Sequence, residues 1–159
     1  MTRIETVLIV HKQSKVLLGL KHPKKKFGGR WNGFGGGLKA GESLEECAIR
    51  ETEKETGIIP KNLEKLGIIL FKFKTDEQDH EVHFYRASEY DGVLKPTEDF
   101  IEYREFPPEK LKTIYNDMMP ADRYWLPYFV QGKMFKGNVC FSKEFNVINH
   151  EINEVNNLN

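Results

Sequence analysis

The segment GESLEECAIRETEKETGI, residues 41–58, limits the fold more narrowly than any other part of the chain, because it defines both ends of a helix. Ser43 is a favoured N-cap residue, and Glu46 three residues later completes a capping box. Helices are commonly followed by a residue in the left-handed conformation, which is usually glycine, and Gly57 stands at that position. The pattern therefore predicts a helix between Ser43 and Gly57.

Two stripes of side chains run along this predicted helix. Leu44, Ala48 and Thr52 follow one another at four-residue spacing and form one of the two stripes. Glu51 and Glu55 form a second stripe, and like charges at this spacing weaken an isolated helix by roughly a few tenths of a kcal/mol. Helix geometry leaves two interpretations open, a solvated acidic face or a carboxylate pair for a divalent cation.

Three consecutive glycines precede the helix and favour the cation site. Gly35, Gly36 and Gly37 are predicted to form a loop whose backbone adopts positive φ or approaches a ligand closely. A backbone carbonyl and helix carboxylates form the oxygen-only ligand set that hard cations prefer. Mg²⁺ bound in this way keeps waters and typically bridges to substrate phosphates.

The rest of the chain alternates short apolar runs with turns, which indicates an α+β fold. Strands are predicted at residues 6–10, 16–20, 63–74, 81–86 and 101–106, with the turn TDEQD between the third and fourth. Short helices are predicted at residues 109–115 and 123–131, and a closing hairpin at residues 134–141 and 145–152. The expected organisation is a single domain over residues 1–155 and a frayed tail over residues 156–159.

Composition excludes several classes of partner. Lysine and arginine number 24, as do aspartate and glutamate, so no excess positive charge favours a nucleic acid polymer. No apolar stretch approaches the ~20 residues of a membrane-spanning helix, and the apolar run at the N-terminus is too short for a signal peptide. Two cysteines are too few for a disulfide framework, which favours the cytoplasm.

The segment from Gly36 to Ile58 resembles the signature of the Nudix family, G-x5-E-x7-R-E-U-x-E-E-x-G-U, in which U is a bulky aliphatic residue. The resemblance implies the Nudix fold, a mixed β-sheet sandwiched between α-helices. It also implies Mg²⁺ as cofactor, with Mn²⁺ as an alternative, held by Gly36, Glu51 and Glu55. The matching residues are Gly36, Glu42, Arg50, Glu51, Glu55, Gly57 and Ile58.

The signature implies catalytic roles for Glu42, Arg50, Glu51 and Glu55, with Arg50 holding a carboxylate such as Glu51 through a bidentate contact. Thr52 and Lys54 depart from it. Lys54 replaces a glutamate that contributes to the metal site in the family, which implies fewer metal ions, weaker metal binding or a compensating acid. Family members often add an acid from a later loop, for which the candidates are Glu98, Asp99 and Glu102.

Outside the signature, the segments VLLGLK, GRWNGFGG and YWLP are similar to the eukaryotic-type oxidised-purine nucleoside triphosphatases, and the similarity extends from about residue 3 to about residue 152. By this resemblance Asn32 hydrogen-bonds the purine, Phe71 packs on it, and Lys21 contacts phosphates. Three simpler roles stay open: an Asn-Gly turn, a core phenylalanine and a solvated lysine. The implied substrate-binding residues are Thr6, Lys21, Phe27, Asn32, Phe71, Met119 and Asp122.

The segment NDMMPADRYWLP departs from these relatives, which carry W-P-D-D where this chain carries Met119, Pro120, Ala121 and Asp122. Met119 can pack on a base less tightly than tryptophan, and the Ala121 side chain cannot hydrogen-bond. Recognition of the base is therefore expected to be less strict than in the relatives.

The resemblance implies Mg²⁺-dependent hydrolysis of oxidised purine nucleoside triphosphates such as 8-oxo-dGTP to the monophosphate and pyrophosphate, which sanitises the nucleotide pool. One alternative is a Nudix hydrolase of another nucleoside diphosphate-linked substrate, such as an ADP-sugar. The other, suggested by Lys54, is a non-catalytic nucleotide-binding module. The expected assembly is a monomer or a homodimer.

Overall fold

The structure, a computed structural model, describes residues 1–75 and 78–159. The strands in this part of the chain are β1 Thr2–Lys12, β2 Lys15–Lys21, β3 Trp31–Asn32, β4 Phe34–Gly37, β5 Ile58–Phe73, β6 Asp79–Gly92, β7 Phe100–Phe106, β8 Phe135–Phe141 and β9 Val147–Glu154. The helices are α1 Leu44–Thr56, a 3-10 helix Pro108–Asp117 and α2 Asp122–Val130.

Every strand and helix predicted from the sequence is present, with longer strands than expected at β1, β5 and β6. The predicted helix at residues 109–115 is a 3-10 helix, which the proline pair at its start still permits. In the predicted turn TDEQD, Asp76 and Glu77 lie outside the described residues. None of the helices in residues 1–75 and 78–159 is long and apolar enough to cross a membrane.

The predicted glycine loop is wrong, because Gly35–Gly37 belong to β4 and pair with β1 in antiparallel register, with Gly36 opposite Thr6. None of the three has positive φ. Close approach explains Gly35, where an added Cβ would lie 1.7 Å from the Thr6 carbonyl oxygen. Glycine is depleted in strands in general, so local preference gave no signal for β4.

The predicted ends of α1 are confirmed. The Glu46 backbone N–H donates to Ser43 Oγ at 3.1 Å, and the Ser43 backbone N–H donates to Glu46 Oε1 at 2.9 Å. Gly57 follows the helix in the left-handed conformation, with φ 85°. Both ends of α1 are therefore set by local sequence, and the direction in which it crosses the sheet is set by β4 and β5.

The strands form one mixed sheet with the order β3-β2-β1-β6-β5-β8-β9, in which β4 also pairs with β1 and β7 with β2. The pairs β1–β6 and β5–β8 are parallel, and the other pairs are antiparallel. The sheet extends from Thr2 to Glu154. A single domain over residues 1–155 with a frayed tail stays a prediction.

Helices cover both faces of this sheet, as the resemblance implied. Successive β1 residues point to opposite faces, so the fully buried Leu8 packs with Ala48 of α1, whereas Ile9 packs in the cluster that contains Trp125 and Leu126 of α2. Burying a large aliphatic or aromatic side chain contributes about 1.5–3 kcal/mol. The two clusters fix α1 and α2 on opposite sides of β1.

Candidate active site

The acidic stripe of α1 faces the protein, so the interpretation as a solvated acidic face is wrong. Glu51 and Glu55 are each 8% exposed and lie against β4. The Gly35 backbone N–H donates to Glu55 Oε1 at 2.8 Å. A Cβ on Gly36 would lie 2.6 Å from the Glu51 carboxyl carbon, so glycine at that position leaves room for the acid.

Burial changes the chemistry of Glu55. Desolvation, reinforced by the negative charges of Glu51 and Asp99, raises the pKa of Glu55 to about 8 against the opposing effects of the Gly35 N–H and Lys21. The positive charge of Lys21 only partly offsets the cost of ionising this carboxyl. A divalent cation would supply further positive charge, so the carboxylates fit an oxygen-ligated metal ion.

The carboxylates alone do not complete a metal site. Within residues 1–75 and 78–159, no group of three His, Cys, Asp or Glu side chains could hold a metal ion. The remaining ligands would be backbone or substrate oxygens and water. The Leu38 N–H donates to the Ile4 carbonyl, and in an antiparallel pair every second residue is hydrogen-bonded to the neighbouring strand. The Gly36 carbonyl therefore points toward β1, whereas the Gly35 carbonyl points to the open edge of β4.

Arg50 binds two acids, in an arrangement that differs from the prediction. Its Nε and Nη2 donate to the two oxygens of Glu42 at 3.0 and 2.7 Å, so the bidentate contact is with Glu42. Its Nη1 makes a single contact of 2.8 Å with Glu51 Oε1. The Arg50 hydrogen bonds, with that of the Lys39 N–H, lower the pKa of Glu42 to about 2. Glu42 thus orients the guanidinium that orients Glu51.

Lys54, at the position that departs from the signature, lies beside Glu51. Its Nζ is 3.7 Å from Glu51 Oε2, and its side chain is 59% exposed. In this structure a flexible cation therefore borders the acid pair where the family pattern has another acid.

The three later acids differ in their relation to this pair. Asp99 acts on Glu55 through its charge and lies 3.6 Å from Lys25 Nζ. Glu102 pairs with Arg104 at 2.7 Å, and Glu98 is exposed. Of the three, Asp99 is the acid electrostatically coupled to the carboxylate pair.

A cavity of about 440 Å³ opens beside the carboxylates and includes Gly35, Gly36 and Glu55 in its wall. The structure brings all seven of the predicted substrate-binding residues into the same wall, namely Thr6, Lys21, Phe27, Asn32, Phe71, Met119 and Asp122. Glu42, Arg50 and Glu51 are not among the lining residues and reach the cavity only through their neighbours.

The positions of three residues bear on the simpler alternatives to their substrate roles. Asn32 lies in β3 opposite Gly19, so the Asn-Gly turn is wrong, and its Nδ2 donates to the Arg30 carbonyl at 3.0 Å. Phe71 is half-buried and stacks on Phe141 with 5.9 Å between ring centroids, so one side of it faces the cavity. Lys21 is half-buried in the cavity wall and is not a fully solvated lysine.

Asp122 is, with Glu55, one of two buried acids in the cavity wall. Trp125 Nε1 donates to its Oδ1 at 3.1 Å. Desolvation raises the pKa of Asp122 to about 7, with the Trp125 and Met119 hydrogen bonds and the Arg30 charge opposing the rise. Near neutral pH a substantial fraction of this carboxyl is protonated, so it can donate a hydrogen bond as well as accept one.

Sequence reasoning missed part of the cavity wall. Phe27 has left-handed backbone (φ 61°), as has Phe145 (φ 65°), and their rings stack at 4.5 Å. The missed residues come from strand ends, from α2 and from the last hairpin, and their one sequence signal is the two phenylalanines, Phe141 and Phe145, near the turn of that hairpin. They include Arg3, Glu5, Phe73, His80, Trp125, Phe141 and Phe145.

The chain is similar to known proteins in sequence and in fold. A family profile described as the NUDIX domain matches residues 1–129. The chain is 35% identical over 159 residues to an oxidized purine nucleoside triphosphate hydrolase of Danio rerio, with 99% of this chain and 98% of the relative covered. It is 36% identical over 161 residues to the protein of the same description from Mus musculus, with the same two shares covered.

Among solved structures, a mutator MutT protein from Bacillus halodurans superposes with a TM-score of 0.82, covering 95% of this chain and 97% of that one. Its sequence identity is 22%, so this likeness bears on the fold alone.

Proposed function

The chain belongs to the Nudix hydrolase family, and from that premise we propose that it hydrolyses oxidised purine nucleoside triphosphates to the monophosphate and pyrophosphate. The observation that carries the proposal is the shared cavity, whose wall includes Asn32 and Asp122 together with Glu55. Its volume of about 440 Å³ lies in the usual range of small-molecule sites, about 300–1,000 Å³. A base and its phosphates can therefore be bound side by side.

Nudix hydrolases generally use divalent metal ions, and we propose Mg²⁺, with Mn²⁺ as an alternative. Glu51, Glu55 and a backbone carbonyl would hold the ion, with Gly35 the better-directed carbonyl and Gly36 the one predicted from the signature. When bound, the ion neutralises phosphate oxygens and orients the polyphosphate for attack.

The side chains around the ion divide the remaining work. A water oxygen attacks the phosphorus atom that is linked to the pyrophosphate group. The bond from this phosphorus to the bridging oxygen breaks, and pyrophosphate leaves. The proton of the attacking water passes to a carboxylate, for which Asp99 is the candidate because it lies near enough to act on Glu55. Arg50 keeps Glu51 in one orientation, and Lys21 binds phosphate oxygens.

Base recognition falls to Asn32 and Asp122. The Asn32 amide offers both a donor and an acceptor, and the protonated Asp122 carboxyl does the same. Met119 packs on the base face, and Phe71 and Phe27 supply aromatic surface. Ala121 adds no hydrogen bond, so the discrimination between oxidised and ordinary purines is expected to be smaller than in a site with two aspartates.

Because base recognition is expected to be weaker, a second candidate stays open, which is hydrolysis of a nucleoside diphosphate-linked compound such as an ADP-sugar. A third, nucleotide binding without turnover, is favoured only by Lys54 beside Glu51. The substrates differ in product: a triphosphate yields pyrophosphate, whereas an ADP-sugar yields AMP and a sugar phosphate.

The test is product analysis with 8-oxo-dGTP, dGTP and ADP-ribose in the presence and absence of Mg²⁺. We expect monophosphate and pyrophosphate from 8-oxo-dGTP, with kcat/KM above that for dGTP. Glu51→Gln should reduce kcat by about a hundredfold or more. Glu53→Gln, an exposed glutamate on the same helix, is the matched control and should be unaffected.

Turnover of ADP-ribose with none of 8-oxo-dGTP would select the second candidate. The third candidate would be selected if the protein binds nucleotides but shows no turnover that Glu51→Gln removes.

A further inference from the structure

An arginine from the first strand occupies the space beside Gly37. An added Cβ on Gly37 would lie 2.8 Å from Arg3 Nη2 and 3.2 Å from its Nε. Glycine at this position therefore leaves room for a guanidinium that belongs to β1, whose residue Glu5 pairs with Gly37. Arg3 also lines the cavity, with 48% of its side chain exposed.

Three successive glycines of β4 lie beside the two buried glutamates of α1 and then beside Arg3. The Gly35 N–H binds Glu55, Gly36 lies against Glu51, and Gly37 lies beside Arg3. A strand rises about 3.3 Å per residue, so the row extends over about 7 Å. Alternation along the strand puts the Gly37 side-chain direction on the face opposite to that of Gly36, which meets Glu51. Arg3, which lies beside Gly37, lines the cavity.

Neighbouring side chains orient Arg3 without using all of its donors. Its Nε lies 3.4 Å from Glu5 Oε2, and the other oxygen of Glu5 contacts His80 Nδ1. A guanidinium carries five N–H donors, and the contact with Glu5 is made through Nε. The terminal nitrogens, of which Nη2 lies beside Gly37, are suited to bidentate hydrogen bonds with oxyanions such as phosphate.

Lys21 is another cation of the cavity wall, and three cations close to the site are engaged with acids. Arg50 is held by Glu42 and Glu51, Lys54 lies beside Glu51, and Lys25 lies beside Asp99. A polyphosphate that binds at Glu55 carries more negative charge than one metal ion removes. Arg3 is placed in the same cavity wall to meet the remainder.

We propose that Arg3 is a substrate-binding residue whose guanidinium holds the pyrophosphate portion of the triphosphate, two residues along β4 from the Gly35–Glu55 contact. The inference rests on the proposed function and adds a residue that the signature does not contain. It separates the phosphate contacts into a metal-held part at Glu51 and Glu55 and a guanidinium-held part at Arg3.

The test compares inhibition by inorganic pyrophosphate with inhibition by the nucleoside monophosphate, both in the presence of Mg²⁺. For Arg3→Gln we expect the inhibition constant of pyrophosphate and the KM of the triphosphate to rise about tenfold, as for loss of a charge-assisted hydrogen bond. The inhibition constant of the monophosphate should change less than about twofold, because the proposal assigns Arg3 to the pyrophosphate portion and not to the base or its phosphate.

Two further variants make the result specific. Lys12→Gln removes another partly exposed β1 cation, 38% exposed and paired with Glu89 at 3.0 Å, and should leave both inhibition constants unchanged. In the Arg3→Gln background, Gly37→Lys puts a cation back beside the position of Arg3, but attached to β4 instead of β1. It should restore most of the pyrophosphate inhibition.

The inference is overturned if Arg3→Gln leaves pyrophosphate inhibition unchanged, shifts both inhibitors equally, or is matched by Lys12→Gln. The proposed function fails separately, if the unaltered protein releases no pyrophosphate from any nucleoside triphosphate.

Discussion

The buried carboxyl of Asp122 should make the protein less stable as the pH rises from about 4 to about 7. Desolvation raises its pKa from 3.8 to about 7 in the folded protein. In the unfolded chain the same carboxyl is solvated and ionises near its ordinary pKa of about 3.9. Between these two values the folded state retains a proton that the unfolded state has lost.

The size of the effect follows from this proton difference. The free energy of unfolding falls by about 1.4 kcal/mol per pH unit while the folded state holds one proton more than the unfolded state. Over about three pH units the loss approaches about 4 kcal/mol. The contribution is fully present below the unfolded pKa, is lost as the pH rises through the folded pKa, and is constant above it.

Asp122→Asn isolates this contribution, because the amide has the same shape and keeps an acceptor for Trp125 Nε1 but does not titrate. Urea unfolding would be measured at pH 5 and pH 7.5 for both proteins. Glu55, whose pKa is also raised, is present in both and cancels in the comparison. From pH 5 to 7.5 the unaltered protein should lose about 2.5 kcal/mol more than the variant. Parallel losses in the two proteins would show that Asp122 is ionised throughout this pH range.

Three further substitutions test the contacts of the site. Arg50→Lys should reduce kcat about tenfold or more in steady-state assays, because lysine cannot bind Glu42 in a bidentate manner while holding Glu51; unchanged kcat would contradict the positioning role. Lys54→Glu should tighten Mn²⁺ binding about threefold to tenfold in a direct titration, because an acid replaces the cation 3.7 Å from Glu51; weaker binding would contradict it. Phe145→Ala should raise KM for every nucleotide and lower the free energy of unfolding in urea by about 1 kcal/mol or more, because it removes the stack on Phe27; unchanged KM would show that the stack does not shape the cavity.

The parts of the fold that depend on local sequence were predicted correctly, and the part that depends on a distant strand was not. The capping residues Ser43, Glu46 and Gly57 act within a few residues of themselves, so the ends of α1 could be predicted. β4 consists of Phe34 and three glycines, and glycine has little preference for extended structure. The segment is a strand because β1 lies beside it.

The candidate site shows the same division. The spacing of Glu51 and Glu55 put them on one helix face, but their burial depends on where α1 crosses β4. The choice of Glu42 as the bidentate partner of Arg50 depends on the loop between β4 and α1, whose path no local pattern specified. Arg3 is distant in sequence from the signature and joins it only through the β1–β4 pairing.

The buried edge of α1 should hold a divalent cation through Glu51 and Glu55, and Mn²⁺ titration followed by electron paramagnetic resonance measures this binding. The unaltered protein and Glu53→Gln should bind the ion equally. Glu51→Gln and Glu55→Gln should bind it at least about tenfold more weakly, because each removes one charged oxygen ligand. Equal Mn²⁺ affinity in all four proteins would contradict the account, since the ion would then be held elsewhere.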